Sequence, residues 1–298
     1  MTFEDFSRAT HVKVAPCRDG VMMFNPLDRF IGRSFDQYGE FSTGETRLFS
    51  QLIKAGDTVI DVGANIGAHT LWMAQRVGPT GRVIAFEPQR SVFQMMCANM
   101  ALNAVTNVDA YWAAAGSQPG HITVPRLDPT IASNFGALSL GAADEGDSVQ
   151  LMSIDGLNLD NCAFMKVDAE GMESEVLEGS RSTINRTKPI LYVENDRNEL
   201  GSALIEIILS MGYRLWWHMP AYFNPNNINN NPENIFPGQC SMNMLCVHKS
   251  IEVDVGDMYP VEGPEDTWLR VARLLDAIGL APHARPHPNV LIRSQAAN

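Results

Sequence analysis

The stretch Thr58-Val59-Ile60-Asp61-Val62-Gly63-Ala64-Asn65-Ile66-Gly67 decides how this chain is read. Its first five residues are a short, mostly apolar run rich in β-branched side chains, the pattern of a strand buried on both faces. Gly63 and Gly67 then supply a turn that tolerates positive φ and lets backbone approach a ligand closely. Ala68 to Val77 continues as a helix, and Gly78-Pro79-Thr80-Gly81 breaks it. A second strand (Arg82 to Phe86), a second helix (Ser91 to Leu102) and a third strand (Val108 to Ala114) repeat the alternation. Helices between short apolar strands imply right-handed crossovers and a parallel sheet covered on both faces. The expected class is a doubly wound α/β fold.

Downstream, residues 116–160 are rich in Gly, Pro, Ser and Asp and read as a surface insertion with short strands. Ala163 to Val167 is expected as strand four, 172–185 as a helix, Pro189 to Val193 as strand five and Ala203 to Met211 as a helix. Tyr213 to Trp217 and Met242 to Val247 look like a closing pair of strands. The Asn-rich segment between them, 224–234, is too polar for a core and is expected to be a lid or substrate-facing loop. This divides the chain into an N-terminal cap (1–55), a main domain (56–250) and a C-terminal helical tail (251–298). The tail holds one helix at about 265–279 and a Pro/His-rich end with His283 and His287.

The loop after the first strand discriminates between cofactors. A dinucleotide fingerprint needs glycines at 63, 65 and 68, but the chain has Asn65 and Ala68 at two of those places. Glu87 ends the second strand, and an ionised carboxylate there accepts from both ribose hydroxyls of an adenosine. Asp61 and Glu87, one strand–helix unit apart, together point to a nucleoside site at the carboxyl edge of the sheet.

Three blocks carry a family resemblance: Val59 to Gly67, Val83-Ile84-Ala85-Phe86-Glu87-Pro88, and Met165-Lys166-Val167-Asp168-Ala169-Glu170-Gly171-Met172-Glu173 with Val176-Leu177-Glu178-Gly179 behind it. Over about 40–250 the chain resembles the FkbM family of methyltransferases. The resemblance implies a Rossmann-like class I methyltransferase fold, with a mostly parallel seven-stranded sheet and an antiparallel edge strand. It also implies S-adenosylmethionine (SAM) as cofactor and O-methylation, often of sugar or natural-product hydroxyls. The cofactor-facing set is then Asp61, Gly63, Asn65, Gly67, Glu87, Pro88, Ala115 and Asp168. His69 stands where that pattern favours a bulky apolar or aromatic residue.

Methyl transfer asks the protein to align the acceptor and remove its proton. Asp168 and Glu194 end strands four and five, where doubly wound sheets hold their ligands. They are candidates for base or substrate anchor. With Asn195 they are alternatively oxygen ligands for Mg²⁺, an arrangement similar to catechol O-methyltransferase-like enzymes. His218 is a third catalytic candidate, and Trp216, Trp217, Tyr222 and Phe223 are candidates for stacking on a flat acceptor. N-methylation and a non-catalytic SAM-binding module are the alternatives.

Net charge is −12 and no Lys/Arg-rich run occurs, which disfavours a nucleic-acid partner. No stretch approaches the apolar length of a membrane span, and the first residues lack the charged-then-apolar pattern of a signal peptide. The five cysteines are odd in number with no C-x-x-C pair, which fits reduced thiols in a cytoplasm. The expected partner is a small hydroxylated acceptor, and a homodimer is compatible with the sequence.

Overall fold

A computed structural model describes residues 11–136, 145–277 and 288–292. In chain order its elements are β1 (Lys13–Cys17), β2 (Gly20–Phe24), α1 (Ile31–Tyr38), α2 (Thr43–Leu52), β3 (Thr58–Val62), α3 (Ala68–Val77), β4 (Arg82–Phe86), α4 (Arg90–Leu102) and β5 (Val108–Tyr111). There follow β6 (Ala113–Ala115), β7 (Gly120–Val124), β8 (Asp147–Met152), β9 (Phe164–Val167), α5 (Glu173–Glu178), α6 (Arg181–Thr187), β10 (Ile190–Glu194) and α7 (Asn198–Ser210). The chain continues with β11 (Tyr213–His218), β12 (Asn243–His248), β13 (Val253–Gly256), β14 (Tyr259–Val261), α8 (Trp268–Ala277) and β15 (Asn289–Ile292).

The main sheet runs in the order β14-β11-β12-β10-β9-β3-β4-β5. Strands β5, β4, β3, β9 and β10 are parallel. The order reverses between β3 and β9, and that switch point opens the crevice in which such sheets bind ligands. The sheet has eight strands rather than seven. The reversed strand β12 lies inside it, antiparallel to both β10 and β11, and β14 adds an antiparallel edge.

Side chains alternate between the two faces of each strand. Ile60, Val62, Met165, Val167, Leu191 and Val193 pack with Leu204, Ile205 and Ile208 of α7. Val59, Phe164, Tyr192 and Leu245 pack with Leu48, Phe49 and Leu52 of α2 and Met73 of α3. The second face carries polar residues at its carboxyl end. Asp61 pairs in register with Lys166, and Lys166 with Tyr192, so both polar side chains point toward α2 and α3.

Three expected elements differ. Val108 to Ala114 is not one strand: β5 ends as the edge of the main sheet, and β6 joins β8 and β7 in a separate three-stranded sheet. The helix expected at 172–185 is two, α5 and α6, broken where a Cβ on Gly179 would stand 2.0 Å from the Gly116 carbonyl oxygen. The segment after 250 is not separate from the main body, because β14 joins the sheet and Val290 N–H donates to Gln51 Oε1 of α2 at 2.8 Å. His283, His287 and the first ten residues lie outside the described residues. No helix among the described residues is long and apolar enough to cross a membrane.

Candidate active-site cleft

A cleft of about 260 Å³ opens at the carboxyl ends of β3, β4, β9 and β10. Its β3–β4 edge is held by backbone. Glu87 Oε2 accepts from Asn65 N–H at 2.9 Å and Oε1 from Gln89 N–H at 2.7 Å, which fixes the buried carboxylate across the mouth of the β3 loop. Burial pushes its carboxyl up to about 7. Asn65 reaches this position through a left-handed turn (φ 52°), stabilised by its own Oδ1 accepting from Ile66 N–H at 2.8 Å. Pro88 and Ala115 also line this end.

Gly63 is required for a reason the sequence does not reveal. Its φ is +74°, and a Cβ there would stand 1.8 Å from the Asp168 carbonyl oxygen. The β3 and β9 loops therefore touch backbone to backbone at Gly63. Gly67 (φ +82°) meets Met96 and Met100 of α4 instead, so its missing side chain serves helix packing.

The deeper end is built from side chains. Lys166 Nζ donates to Asp168 Oδ2 at 2.9 Å and lies 3.7 Å from Asp61 Oδ1. Burial opposes the lysine's charge, but Asp168 and Asp61 hold its pKa above the ordinary value. Burial likewise opposes ionisation of Asp168, yet Lys166 and a hydrogen bond shared with Glu194 hold its carboxyl below the usual range. Glu194 is driven well above its ordinary value by burial and by the Asp168 charge, so it holds the proton of the pair. Carboxylate oxygens of Asp168, Glu170 and Glu194 lie within 4.8 Å of one another. Arg197 Nη2 donates to Glu170 Oε2 at 2.8 Å. Glu173 Oε1 accepts from Ala169 N–H at 2.8 Å and Gly171 N–H at 3.0 Å, and so holds the turn that presents Asp168.

The opposite wall comes from parts distant in sequence. Glu45 of α2 accepts from Asn243 Nδ2 of β12 at 2.8 Å, and burial pushes its carboxyl up to about 7. His69 Nε2 approaches Glu45 Oε2 at 3.1 Å but outside hydrogen-bond geometry, which leaves that buried nitrogen without a hydrogen-bond partner. Burial, with Lys166 nearby, brings the imidazole down to about 3, so it is neutral. Tyr222 stacks on Phe41, ring centroids 6.1 Å apart, and both line the cleft with Ser241.

Of the residues singled out from sequence, Gly63, Asn65, Glu87, Pro88, Ala115, Asp168 and Glu194 line the cleft. Asp61 does not. It is fully buried beneath the loop, its Oδ2 accepting from Thr70 Oγ1 at 2.6 Å. Asn195 turns away from the acids toward α7, with Nδ2 donating to the Gly201 carbonyl at 3.3 Å, so it is not placed to join Asp168 and Glu194 as a metal ligand. His218 also lies outside the wall, its Nδ1 hydrogen-bonded to the Tyr192 hydroxyl at 2.8 Å. Trp217 is core and Trp216 sits under Arg214, while Phe223 packs on Tyr38.

The 224–234 loop is docked on the N-terminal cap rather than over the cleft. Glu40 accepts from Asn224 Nδ2 and Ile228 N–H, and the Tyr38 hydroxyl donates to the Glu233 carbonyl at 2.7 Å. Only the stems of that connection, Tyr222, Ser241 and Asn243, reach the cleft. Sequence reasoning missed Glu45, Lys166, Ser241 and Asn243. Lys166 carries a signal of its own, a lysine inside the apolar run Phe164–Val167.

A family model described as the methyltransferase FkbM domain matches residues 61–215. No curated protein matches the chain. Among solved structures, methyltransferase FkbM from Methylobacillus flagellatus KT is 19% identical, with 63% of this chain and 43% of that one covered and a TM-score of 0.43. The chain thus spans less than half the length of that relative. Precorrin-6y C5,15-methyltransferase from Geobacter metallireducens GS-15 is 11% identical, covering 74% and 99% of the two chains, TM-score 0.43. The O-methyltransferase TomG from Streptomyces achromogenes, solved in complex with SAM, is 12% identical over 69% and 78%, TM-score 0.41. Likenesses this loose carry no argument about chemistry. The family match runs from the Asp61 loop into β11, just over half of the sequence, and on it the chain belongs to the FkbM family of methyltransferases.

Proposed function

We propose that this protein is a SAM-dependent O-methyltransferase acting on a hydroxyl of a small molecule. The observation that carries the reading is the cluster of the Asp168, Glu170 and Glu194 carboxylates, with Lys166 donating to Asp168, at the carboxyl ends of two central strands. The residues at the other end of the cleft fit a nucleoside cofactor. Each oxygen of Glu87 holds one backbone N–H and keeps acceptor capacity for a ribose hydroxyl. The cofactor, when bound, supplies an already activated methyl group. The protein's task is then to orient the acceptor and take its proton.

Asp168 is the group suited to receive that proton, being the member of the pair that stays ionised. A hydroxyl becomes strongly acidic as its oxygen bonds to carbon, so a carboxylate of ordinary or lowered basicity suffices. Glu194, protonated, donates to Asp168 and fixes its orientation. Phe41 and Tyr222 give the opposite wall aromatic surface.

Charge favours a hydroxyl over an amine. Glu45, Glu87, Asp168, Glu170, Glu194 and Asp196 line the cleft against one lysine among the described residues. Such a setting stabilises an ammonium, which has no lone pair to donate, whereas a hydroxyl is neutral and nucleophilic as it enters. The same charge and the confined volume disfavour a nucleic-acid strand. A divalent metal fits the acids poorly. Lys166 and Arg197 already engage Asp168 and Glu170, and Asn195 faces away.

The test is transfer from methyl-¹³C SAM to a panel of neutral sugars and polyols, with matched amino sugars, in the presence of EDTA. O-methyl signals in the product NMR spectrum, undiminished by EDTA, support the reading. Transfer confined to the amino sugars would replace it with N-methylation, and activity only on restoring Mg²⁺ would replace the metal-free part.

A further inference from the structure

We infer that Lys166 is the residue that recognises the carboxylate of the cofactor's amino-acid end, with His69 as a second donor beside it. The inference rests on the cofactor reading above and assigns a role to a residue outside the glycine-rich loop.

The argument is one of charge. SAM carries cationic groups, a sulfonium and an ammonium, and a single anionic one, its carboxylate. The cleft presents six acids and, among the described lining residues, one permanent cation, Lys166. The cationic groups of the ligand therefore have many partners and its anion has one. Lys166 reaches the cleft from β9, directly beside β3, because Asp61 and Lys166 are paired in register. A ligand whose ribose is held at Glu87, beyond β3 on β4, lays its amino-acid end back across the β3 loop toward that position.

The lysine is set for a second anion. It is buried, so its charge acts through little water, and its hydrogen bonds leave donor capacity. Asp168 takes one N–H at 2.9 Å, while Asp61 at 3.7 Å is an electrostatic neighbour whose Oδ1 has no hydrogen-bond partner. His69 is independent support. It lines the cleft, is more than nine-tenths buried, and its Nε2, 3.1 Å from Glu45 Oε2 outside hydrogen-bond geometry, makes no hydrogen bond. Buried polar nitrogens without partners are rare in folded proteins, and a ligand carboxylate supplies the missing acceptor. The ligand's ammonium then faces Asp168, Glu170 and Asp196.

The test uses three ligands on the whole protein by calorimetry: S-adenosylhomocysteine (SAH), its decarboxylated analogue, and 5′-methylthioadenosine, which lacks the amino-acid end. Wild type should bind SAH about tenfold or more tighter than the decarboxylated analogue, the scale of one charged hydrogen bond. In Lys166→Met, SAH should fall to the level of the analogue and the ratio should approach one. Lys166→Arg, which keeps the cation, should restore part of the ratio. A merely structural lysine would weaken all three ligands together and leave the ratio unchanged, and that result overturns the inference. Should Lys166→Met fail to fold, ¹⁵N-lysine NMR of wild type decides. The Lys166 ammonium resonance should shift with SAH and not with the decarboxylated analogue, and equal shifts overturn the proposal. Wild type that binds none of the three ligands overturns the cofactor reading itself, whereas binding of all three with no preference for the carboxylate overturns this inference alone.

Discussion

The two ends of the cleft are built in opposite ways. At the β3–β4 edge, the polar groups are fixed by backbone: Glu87 is clamped by the N–H groups of Asn65 and Gln89. At the β9–β10 edge they are fixed by one another. Lys166, Asp168 and Glu194 share protons and charge, and Glu45 is held by Asn243 from the far side. The first end lies within one strand–helix–strand unit. The second draws on α2, α3, β9, β10 and the connection from β11 to β12. A backbone-held site tolerates changes around it, because main-chain donors are present whatever the side chains are. A side-chain network can be retuned one residue at a time.

The sharpest way to break this division is at the place where the two ends touch. Gly63→Val puts side-chain carbon where the Asp168 carbonyl oxygen lies, 1.8 Å from an ideal Cβ, at a φ of +74°. The expected loss is more than about 3 kcal/mol of stability. Thermal unfolding of the variant should show the damage without any ligand present. A variant as stable as wild type would mean that the glycine serves the cofactor alone.

The next largest effect belongs to the β9–β10 end. Asp168→Asn should lower turnover about 10²-fold while SAH affinity changes far less, since Glu170 and Asp196 remain for the ligand's ammonium. Glu194→Gln should be milder, because an amide still donates to Asp168 as the protonated acid does. Steady-state kinetics beside calorimetry separate the two. Equal losses in both variants, or a loss confined to binding, would move the proton-accepting role elsewhere.

How much of this was legible in the sequence follows the same division. Val59 to Gly67 and Glu87 could be read because an apolar run, a glycine turn and a strand-end acid are local patterns, and their contacts are local too. Asp168 and Glu194 could be placed because strand ends in a parallel sheet converge. Glu45 could not, since nothing in the residues of α2 states that β12, far along the chain, will slide between β10 and β11 and bring Asn243 to it. His218 and Asn195 lie off the cleft wall for a related reason. Both end strands as the candidates should, yet one turns to Tyr192 and the other to Gly201, and only packing decides the direction. The Asn-rich loop was correctly polar, but Glu40 and Tyr38 consume its hydrogen bonds at the cap.

Two smaller effects sharpen the comparison. His218→Phe should cost about 1 kcal/mol of stability through the lost bond to Tyr192, with turnover nearly unchanged. A large fall in turnover at constant stability would return His218 to the catalytic group. The second effect is a pH dependence. A carboxyl at Glu87 pushed up to about 7 accepts from a ribose only once ionised, so SAH binding should weaken as pH falls through about 7. Because Glu45 titrates in the same range, the assignment is checked with Glu87→Gln, in which this part of the pH dependence should vanish.

The account's central claim is that the cofactor's nucleoside sits on the backbone-held edge, and calorimetry of SAH binding to paired variants tests it most directly. Glu87→Ala removes the clamped carboxylate, and Tyr222→Phe alters the opposite wall. The first should weaken SAH binding by about 1–3 kcal/mol, the scale of charged hydrogen bonds lost, while the second leaves it within error. Unchanged SAH affinity in Glu87→Ala would contradict the account.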